Sequence, residues 1–554
     1  MGINAKVLAM WSCVLLVAGI CAAQEGPGIQ IPSVAHATSA PLSSRSPLPP
    51  GWRPGVPPRV FPVLPTKKPG GTGGGGTGGG GSWTDPDLQT VSNGVNLTVG
   101  SLFQGQAFTG AIPPDDNISV GVDPSGNTQI VQVVNTSYAI YDTSGTLLTG
   151  GGDLGGALFS NLPSTANCNV NADGGDVIAL WDQLDRRWLI SQLAYNSTFT
   201  QNDFCLAISD SSDATGSYEA YDISFGGSLP DYPKLAVWGD GIYFSANMFH
   251  LKINPFTGRE SSTFLGAQAC SFPRPNWTGP APATIGFTCS GSGNTAIYNI
   301  LPADIDGPNA APSGSDYYLQ FVDNLSTTSG NELTLYQFQS GKLVALGNLS
   351  VGAFHEACGG ATCIPQFGTT QQLDSLGDRL MYRLSYRNYG GTQAMVVNHS
   401  VQVSSASKQS GIRWYKLCNQ TATVPFHVCQ ESTFSPDTAT YRWMGSMAQD
   451  SAGNLGLGYS TSGSSIYPSV AVTGLESGVD SGMERESVLY NGPNFQDIYS
   501  RWGDYSSMAV DPHDDCTFWY TTEYSTPTNL FGTYNIFWGT VIGSFHFPNC
   551  SANP

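Results

Sequence analysis

From Trp83 onward the chain is built of short apolar runs separated by turns rich in Asp, Gly and Pro. One stretch sets the pattern. Arg501-Trp502-Gly503-Asp504-Tyr505 leads into a run of small and apolar residues closed by Asp511, and Pro512 to Asp515 make an acidic turn. Residues 516–524 are then aromatic and β-branched on both faces, as a strand buried on both sides requires.

The same order of strand, acidic turn and strand returns at residues 118–134, 176–191, 234–246, 317–323, 373–386 and 444–459. Its turn aspartates, Asp123, Asp182, Asp240, Asp323, Asp378, Asp450 and Asp511, recur at intervals of roughly 60 residues, a block that suits a four-stranded antiparallel blade with generous loops. A β-sandwich or β-helix needs no block of this size. The pattern therefore predicts an all-β fold, a single β-propeller over residues 83–554 with seven blades, or six if the weaker unit at Asp323 is spurious.

Composition agrees. Charged residues make up 11% of the 554, and 67 are glycine, so strong helix formers are scarce and turn formers abundant. The net charge of −19 excludes a phosphate-neutralising nucleic-acid surface and electrostatic docking on anionic membranes. Lys6, an apolar run through Gly19 and the small residues Cys21-Ala22-Ala23 predict a secretory signal over residues 1–23, an N-terminal membrane anchor being the alternative. With the signal cleaved no membrane insertion is expected, and the protein should be secreted or extracytoplasmic.

Ten cysteines remain after the signal, an even number in an oxidising compartment. Proximity in sequence suggests the pairs Cys168–Cys205, Cys270–Cys289, Cys358–Cys363, Cys418–Cys429 and Cys516–Cys550. A metal site at His355, Cys358 and Cys363 is the rival for the third pair, although it lacks an evident fourth ligand. Residues 24–82 are rich in Pro and Ser and then in Gly, which reads as a disordered linker with no core of its own.

Several motifs carry a resemblance. Pro113-Pro114-Asp115-Asp116-Asn117, Trp181-Asp182 with Arg186-Arg187-Trp188, Pro230-Asp231-Tyr232-Pro233-Lys234, Tyr441-Arg442-Trp443-Met444-Gly445 and Arg501-Trp502-Gly503-Asp504-Tyr505 resemble those of a family of secreted bacterial proteins predicted as propellers. The resemblance spans nearly all of residues 100–548. It implies a propeller and export, and because the family has no assigned chemistry it implies no activity. The aspartate turns also loosely resemble those of sialidase-type propellers, with Asp450-Ser451-Ala452-Gly453-Asn454 nearest to their aspartate box.

In a propeller, polar residues just before the innermost strands converge at the mouth of the central channel. That places Asp504, Tyr505, Asp116 and Asp231 as candidate catalytic residues. Arg501, Arg442, Arg383, Asp115, Asp374 and Tyr232 are candidate ligand-binding residues, with Asp176 on the same rim. Paired carboxylates can do acid and base work on a glycosidic bond, and arginines can hold an acidic sugar. The competing role is architectural, as loop caps and seam ion pairs. Arg379, Arg383 and Arg387 fall at even spacing and share one strand face, so they need anions from the next blade or from a ligand.

Other signatures are negative. There is no nucleophile elbow and no zinc helix, and no metal site or cofactor is expected. Asp304-Ile305-Asp306-Gly307 resembles only the start of a calcium loop, with no downstream bidentate Glu. The expected function is glycan binding by an exported propeller, as a glycoside hydrolase or lyase, with an extracellular polysaccharide or glycoconjugate as partner and the protein a monomer. The alternative is a non-catalytic adhesion or protein-interaction propeller on a flexible tether.

Overall fold

Among the described residues, seven four-stranded antiparallel units follow one another. Their first strands are Asn117–Val122, Ile178–Asp182, Leu229–Val237, Leu301–Asp306, Met381–Asn388, Tyr441–Gln449 and Ser507–Val510. Each first strand lies against the next, and Ser507–Val510 lies against Asn117–Val122, so the strands close a ring about a common axis. Closure is also made at the rim. The seventh unit takes only three strands from the C-terminal end, and Thr98–Ala107 pairs with Trp538–His546 to complete it. The fold is a β-propeller whose last sheet joins a strand from before the first unit to three strands that follow the sixth.

This computed structural model describes residues 28–45, 58–66, 82–92, 94, 96–253, 260–274, 281–309, 311, 314–323, 331–419, 425–527 and 535–551. The expected signal at residues 1–23 and the glycine-rich run lie outside the described residues.

Packing between units explains the small residues in the strands. Ile118, Val120 and Ile130 of the first unit form one cluster with Trp519 and Ile542 of the seventh. Gly121 faces Trp181 and Trp188 of the second unit so closely that an added Cβ would stand 2.5 Å from the Trp181 ring. Large aromatic faces therefore meet glycine across a seam, and the sheets approach to contact. All five cysteine pairs form as the spacing suggested, Cys168–Cys205, Cys270–Cys289, Cys358–Cys363, Cys418–Cys429 and Cys516–Cys550. Cys358 and Cys363 are thus not metal ligands, and His355 stacks on Trp83 at 3.7 Å.

Two units differ from the expected reading. Residues 317–323 were expected to open a unit, yet Tyr317–Val322 is the second strand of the fourth, whose first is Leu301–Asp306. In the fifth unit the expected turn at Asp378 precedes the first strand, and the turn itself lies beyond Asn388, where Gly390 and Gly391 have φ of 79° and 118°. The Gly-Asp pair at 377–378 looked like a hairpin turn, but only the second site supplies two adjacent glycines with positive φ. The same register places Asp304 and Asp306 on a strand, where Arg383 neutralises both, rather than in a calcium loop.

The expectation for residues 24–82 also changes. Ile29–Thr38 forms a strand wedged between two units, antiparallel to Tyr218–Ser224 on one side and to Gly286–Cys289 on the other, joining both into a nine-stranded sheet. Two outer edges would otherwise carry unpaired backbone groups, and the inserted strand satisfies them. Leu42, fully buried, follows in the core of the first two units. Proline content suggested a linker, yet only Pro32 falls within this strand.

Candidate functional site

Five units send side chains to one mouth of the ring axis. The chain approaches two first strands through residues with left-handed backbone, Asp115 (φ 48°) and Asp176 (φ 52°), and Tyr232 (φ 54°) sits at an irregularity within the first strand of the third unit. Asp tolerates this region and Tyr does so rarely, so the conformation at Tyr232 is held by its surroundings. The turn in the chain aims Asp176, Asp231, Tyr232, Arg379, Arg501 and Asp504 into a cavity of about 60 Å³.

The contacts form a network. Asp115 accepts the Asp504 backbone N–H at 2.7 Å and the Asn135 amide at 2.7 Å, which couples the first unit to the seventh. Asp176 accepts the Tyr232 backbone N–H at 2.9 Å and the Tyr505 hydroxyl at 3.3 Å. The Tyr232 and Tyr505 rings stack at 5.2 Å, and the Lys234 ammonium lies 3.2 Å from the first ring and 4.0 Å from the second. Arg379 covers the Tyr232 ring at 4.6 Å while its Nε donates to Asp378 at 2.9 Å. Arg501 stands 2.7 Å from Asp504 and 3.6 Å from Asp374, and its Nε donates to the Phe61 carbonyl at 2.7 Å.

Electrostatics follow from crowding carboxyls in a dry site. Burial, then repulsion from Asp231 and Asp504, pushes Asp176 up to about 7. Burial also pushes Asp231 up to about 7, with Arg379 opposing the rise. Asp115 is held well above the ordinary carboxyl range by burial, then by Asp504 and Asp176. Burial drives the Lys234 amine well below its usual range despite the neighbouring acids. Groups whose protonation shifts toward neutrality in a cleft are equipped for proton transfer.

The structure brings Asp115, Tyr232, Asp374, Arg501, Asp504 and Tyr505 together through these contacts and places Asp231 on the wall of the same cavity. Asp116 does not line the cavity. It is fully buried, and burial raises its pKa well above the usual range, with a side-chain hydrogen bond to Thr521 opposing the rise. Glu523 is raised likewise, by burial and then by Asp116, and accepts the Gly503 N–H.

Two arginines do not join the cluster. Arg383 donates to Asp304 at 2.9 Å and to Asp306 at 2.7 Å, pinning the fourth and fifth units where their first strands run parallel. Arg442 is held by Asp437 at 2.6 Å and Glu486 at 2.9 Å within the sixth unit. Asp304, Asp306 and Glu486 stand 79, 77 and 44 positions from the arginines they meet, which the local motif does not reveal, whereas Asp437 is a near neighbour of Arg442. Arg387 likewise pairs with Asp515 at 2.7 Å. Arg379, expected on one strand face with Arg383 and Arg387, instead precedes their strand, Met381–Asn388, and alone of the three lines the cavity.

Sequence reasoning missed Lys234 and the segment around Phe61. Lys234 was legible as a lone lysine in an otherwise apolar first strand. The apolar stretch at residues 60–64 was legible as well, within a tract judged by its prolines. Among the described residues no group of three or more His, Cys, Asp or Glu is placed to hold a metal ion.

No protein-family model and no curated protein matches this sequence. Solved structures with a similar course of chain include an α-L-arabinofuranosidase from Fusarium graminearum, 8% identical with a TM-score of 0.33, covering 84% of this chain and 98% of that one. An endo-arabinase from Bacteroides thetaiotaomicron is 12% identical with a TM-score of 0.25, covering 55% of this chain and 95% of that one. The WD40 domain of SCAP from fission yeast is 9% identical with a TM-score of 0.29, covering 77% of this chain and 82% of that one. Likeness at this level says nothing about chemistry, and the propeller assignment rests on the closed ring of strands.

Proposed function

We propose that this is an exported, glycan-binding propeller whose axial cluster holds a saccharide and hydrolyses a glycosidic bond. The observation that carries the reading is the convergence of carboxyl, guanidinium and phenol groups from separate units on one cavity at the ring axis. Carboxylates and arginines bind sugar hydroxyls in a directed way, and the Tyr195 and Phe199 rings, 4.9 Å apart on the cavity wall, offer apolar faces to a sugar ring.

The division of labour follows from environment. Asp231, pushed up to about 7 by burial, can carry a proton near neutral pH and suits the general acid, while Asp504 lies 2.7 Å from Arg501 on the same cavity. Glycosidic cleavage needs two carboxyl groups about the scissile bond, one of them an acid. Beside them the Tyr505 hydroxyl donates to Asp176 at 3.3 Å. Five disulfides fit the oxidising environment of an extracytoplasmic protein, and export through residues 1–23 is part of the same reading.

Incubation with a panel of acidic and neutral polysaccharides tests it. Release of reducing ends by the wild type, lost in Asp231→Asn with its melting curve intact, is the expected result. Retention on a glycan array without turnover would remove catalysis and keep binding. Silence in both assays would refute the saccharide reading and leave a protein partner.

A further inference from the structure

Residues 58–66 cross the mouth of the axial cavity. Arg59–Val60 pairs in parallel with Ala111–Ile112, and the Phe61 N–H donates to the Ile112 carbonyl at 2.8 Å. The Phe61 carbonyl accepts from Arg501 Nε at 2.7 Å, so a cavity arginine spends a donor on the chain's own backbone. The Phe61 ring, 7% exposed, lies over Gly175, where an added Cβ would stand 2.8 Å from it. Residues 61–64 together form one wall of the cavity.

The backbone attachment is short, and beyond it the Arg59 side chain donates to the Asp173 carbonyl and to the Tyr195 hydroxyl, the latter at 2.7 Å. The pairing is two residues long, and Pro62 and Pro65 have no N–H with which to extend it. Pro62, Val63 and Pro65 are exposed, so the outer face is already wet. Ile29–Thr38, by contrast, is paired along its length, residues 29–32 with Gly286–Cys289 and residues 33–38 with Tyr218–Ser224. A segment with few backbone bonds and one exposed face opens locally at far lower cost than the ring. With the segment in place the cavity measures about 60 Å³, against roughly 300–1,000 Å³ for an ordinary small-molecule site.

We infer that residues 58–66 are an autoinhibitory strap, which occupies the mouth of the axial site through the Arg501–Phe61 contact and must leave before a saccharide enters. The inference rests on the reading of the axial cluster as a saccharide site. Displacement of the strap frees Arg501 Nε for a ligand oxygen and joins the cavity to the outer surface. The strap is thus both a lid and a stand-in for the ligand at that arginine.

The test uses the full chain with Phe61→Ala/Leu64→Ala, and a second variant in which residues 59–64 become alternating Gly and Ser. Neither change touches a strand of the ring, and melting curves verify folding. Carbodiimide with an amine labels accessible carboxyls, and peptide mapping reads Asp231 and Asp504. Both variants should raise labelling at these positions about tenfold, the change expected when the closed-to-open ratio moves by one decade. Polysaccharide turnover or retention should rise alongside. Unchanged labelling in the folded variants overturns the strap. Raised labelling without response to any polysaccharide keeps the strap and refutes the saccharide reading. Turnover by the wild type as fast as by the variants refutes the strap and keeps the saccharide reading.

Discussion

Asp176→Asn should stabilise the protein at alkaline pH and leave it nearly unchanged in acid. Asp176 is raised from an ordinary 3.8 to about 7 by burial and by Asp231 and Asp504. Between these values the unfolded chain has lost the proton while the folded one keeps it, so stability falls as pH rises. The loss is complete above the folded value and amounts to about 4 kcal/mol at most. Relief at one carboxyl leaves the desolvation of its neighbours in place, so the expected gain is about 1–3 kcal/mol near pH 8.5.

The substitution is otherwise mild. Asn occupies left-handed backbone at least as readily as Asp, which suits the φ of 52° at this position. Its carbonyl oxygen can still accept the Tyr232 N–H and the Tyr505 hydroxyl that Asp176 now accepts. Guanidinium denaturation followed by tryptophan fluorescence at about pH 4.5 and about pH 8.5 measures the difference. A gain of equal size at both pH values, or a loss at the higher one, would refute the reasoning. Asp176 would then be a structural cap on Tyr232 and not a carboxyl held under strain for chemistry.

Two further substitutions address the architecture. Arg383→Ala strands Asp304 and Asp306 in a seam where all three side chains are nearly buried; we expect a loss of about 3–5 kcal/mol in denaturant, largely restored by adding Asp304→Asn and Asp306→Asn. An unchanged midpoint would return Arg383 to the list of ligand-binding candidates. Gly121→Ala puts a Cβ 2.5 Å from the Trp181 ring and 2.6 Å from Trp188, so a loss of about 1–3 kcal/mol is expected from the melting curve, and none would mean that the seam can open at no cost.

The local chemistry of most units could be read directly. At Asp123, Asp450 and Asp511 the carboxylate accepts backbone N–H groups two residues on, so the turn is encoded within a few positions. The fourth and fifth units were misread because their strands are not bounded by such a turn at the position where an aspartate happens to stand. The arginines show the same limit. Arg501 and Asp504 are three residues apart and their pairing is local, whereas Arg383 finds Asp304 and Asp306 nearly 80 positions away. Even spacing told which face Arg383 occupies and nothing about which strand comes to meet it.

The sequence by itself determined the all-β class and the strand-turn repeat, and proximity along it suggested the disulfide pairs that form. All of these depend on interactions within one unit or on the periodicity of the pattern. Only the tertiary structure decided that Thr98–Ala107 closes the last unit, that Ile29–Thr38 fills two sheet edges, and that residues 58–66 lie over the cavity. It also decided the protonation of Asp176 and Asp231, which arises from burial and from charges on other units. The physical reason is common to these cases. An unpaired edge, an open cavity or a desolvated carboxyl exists only once distant segments have been brought together, and no local pattern of residues records it.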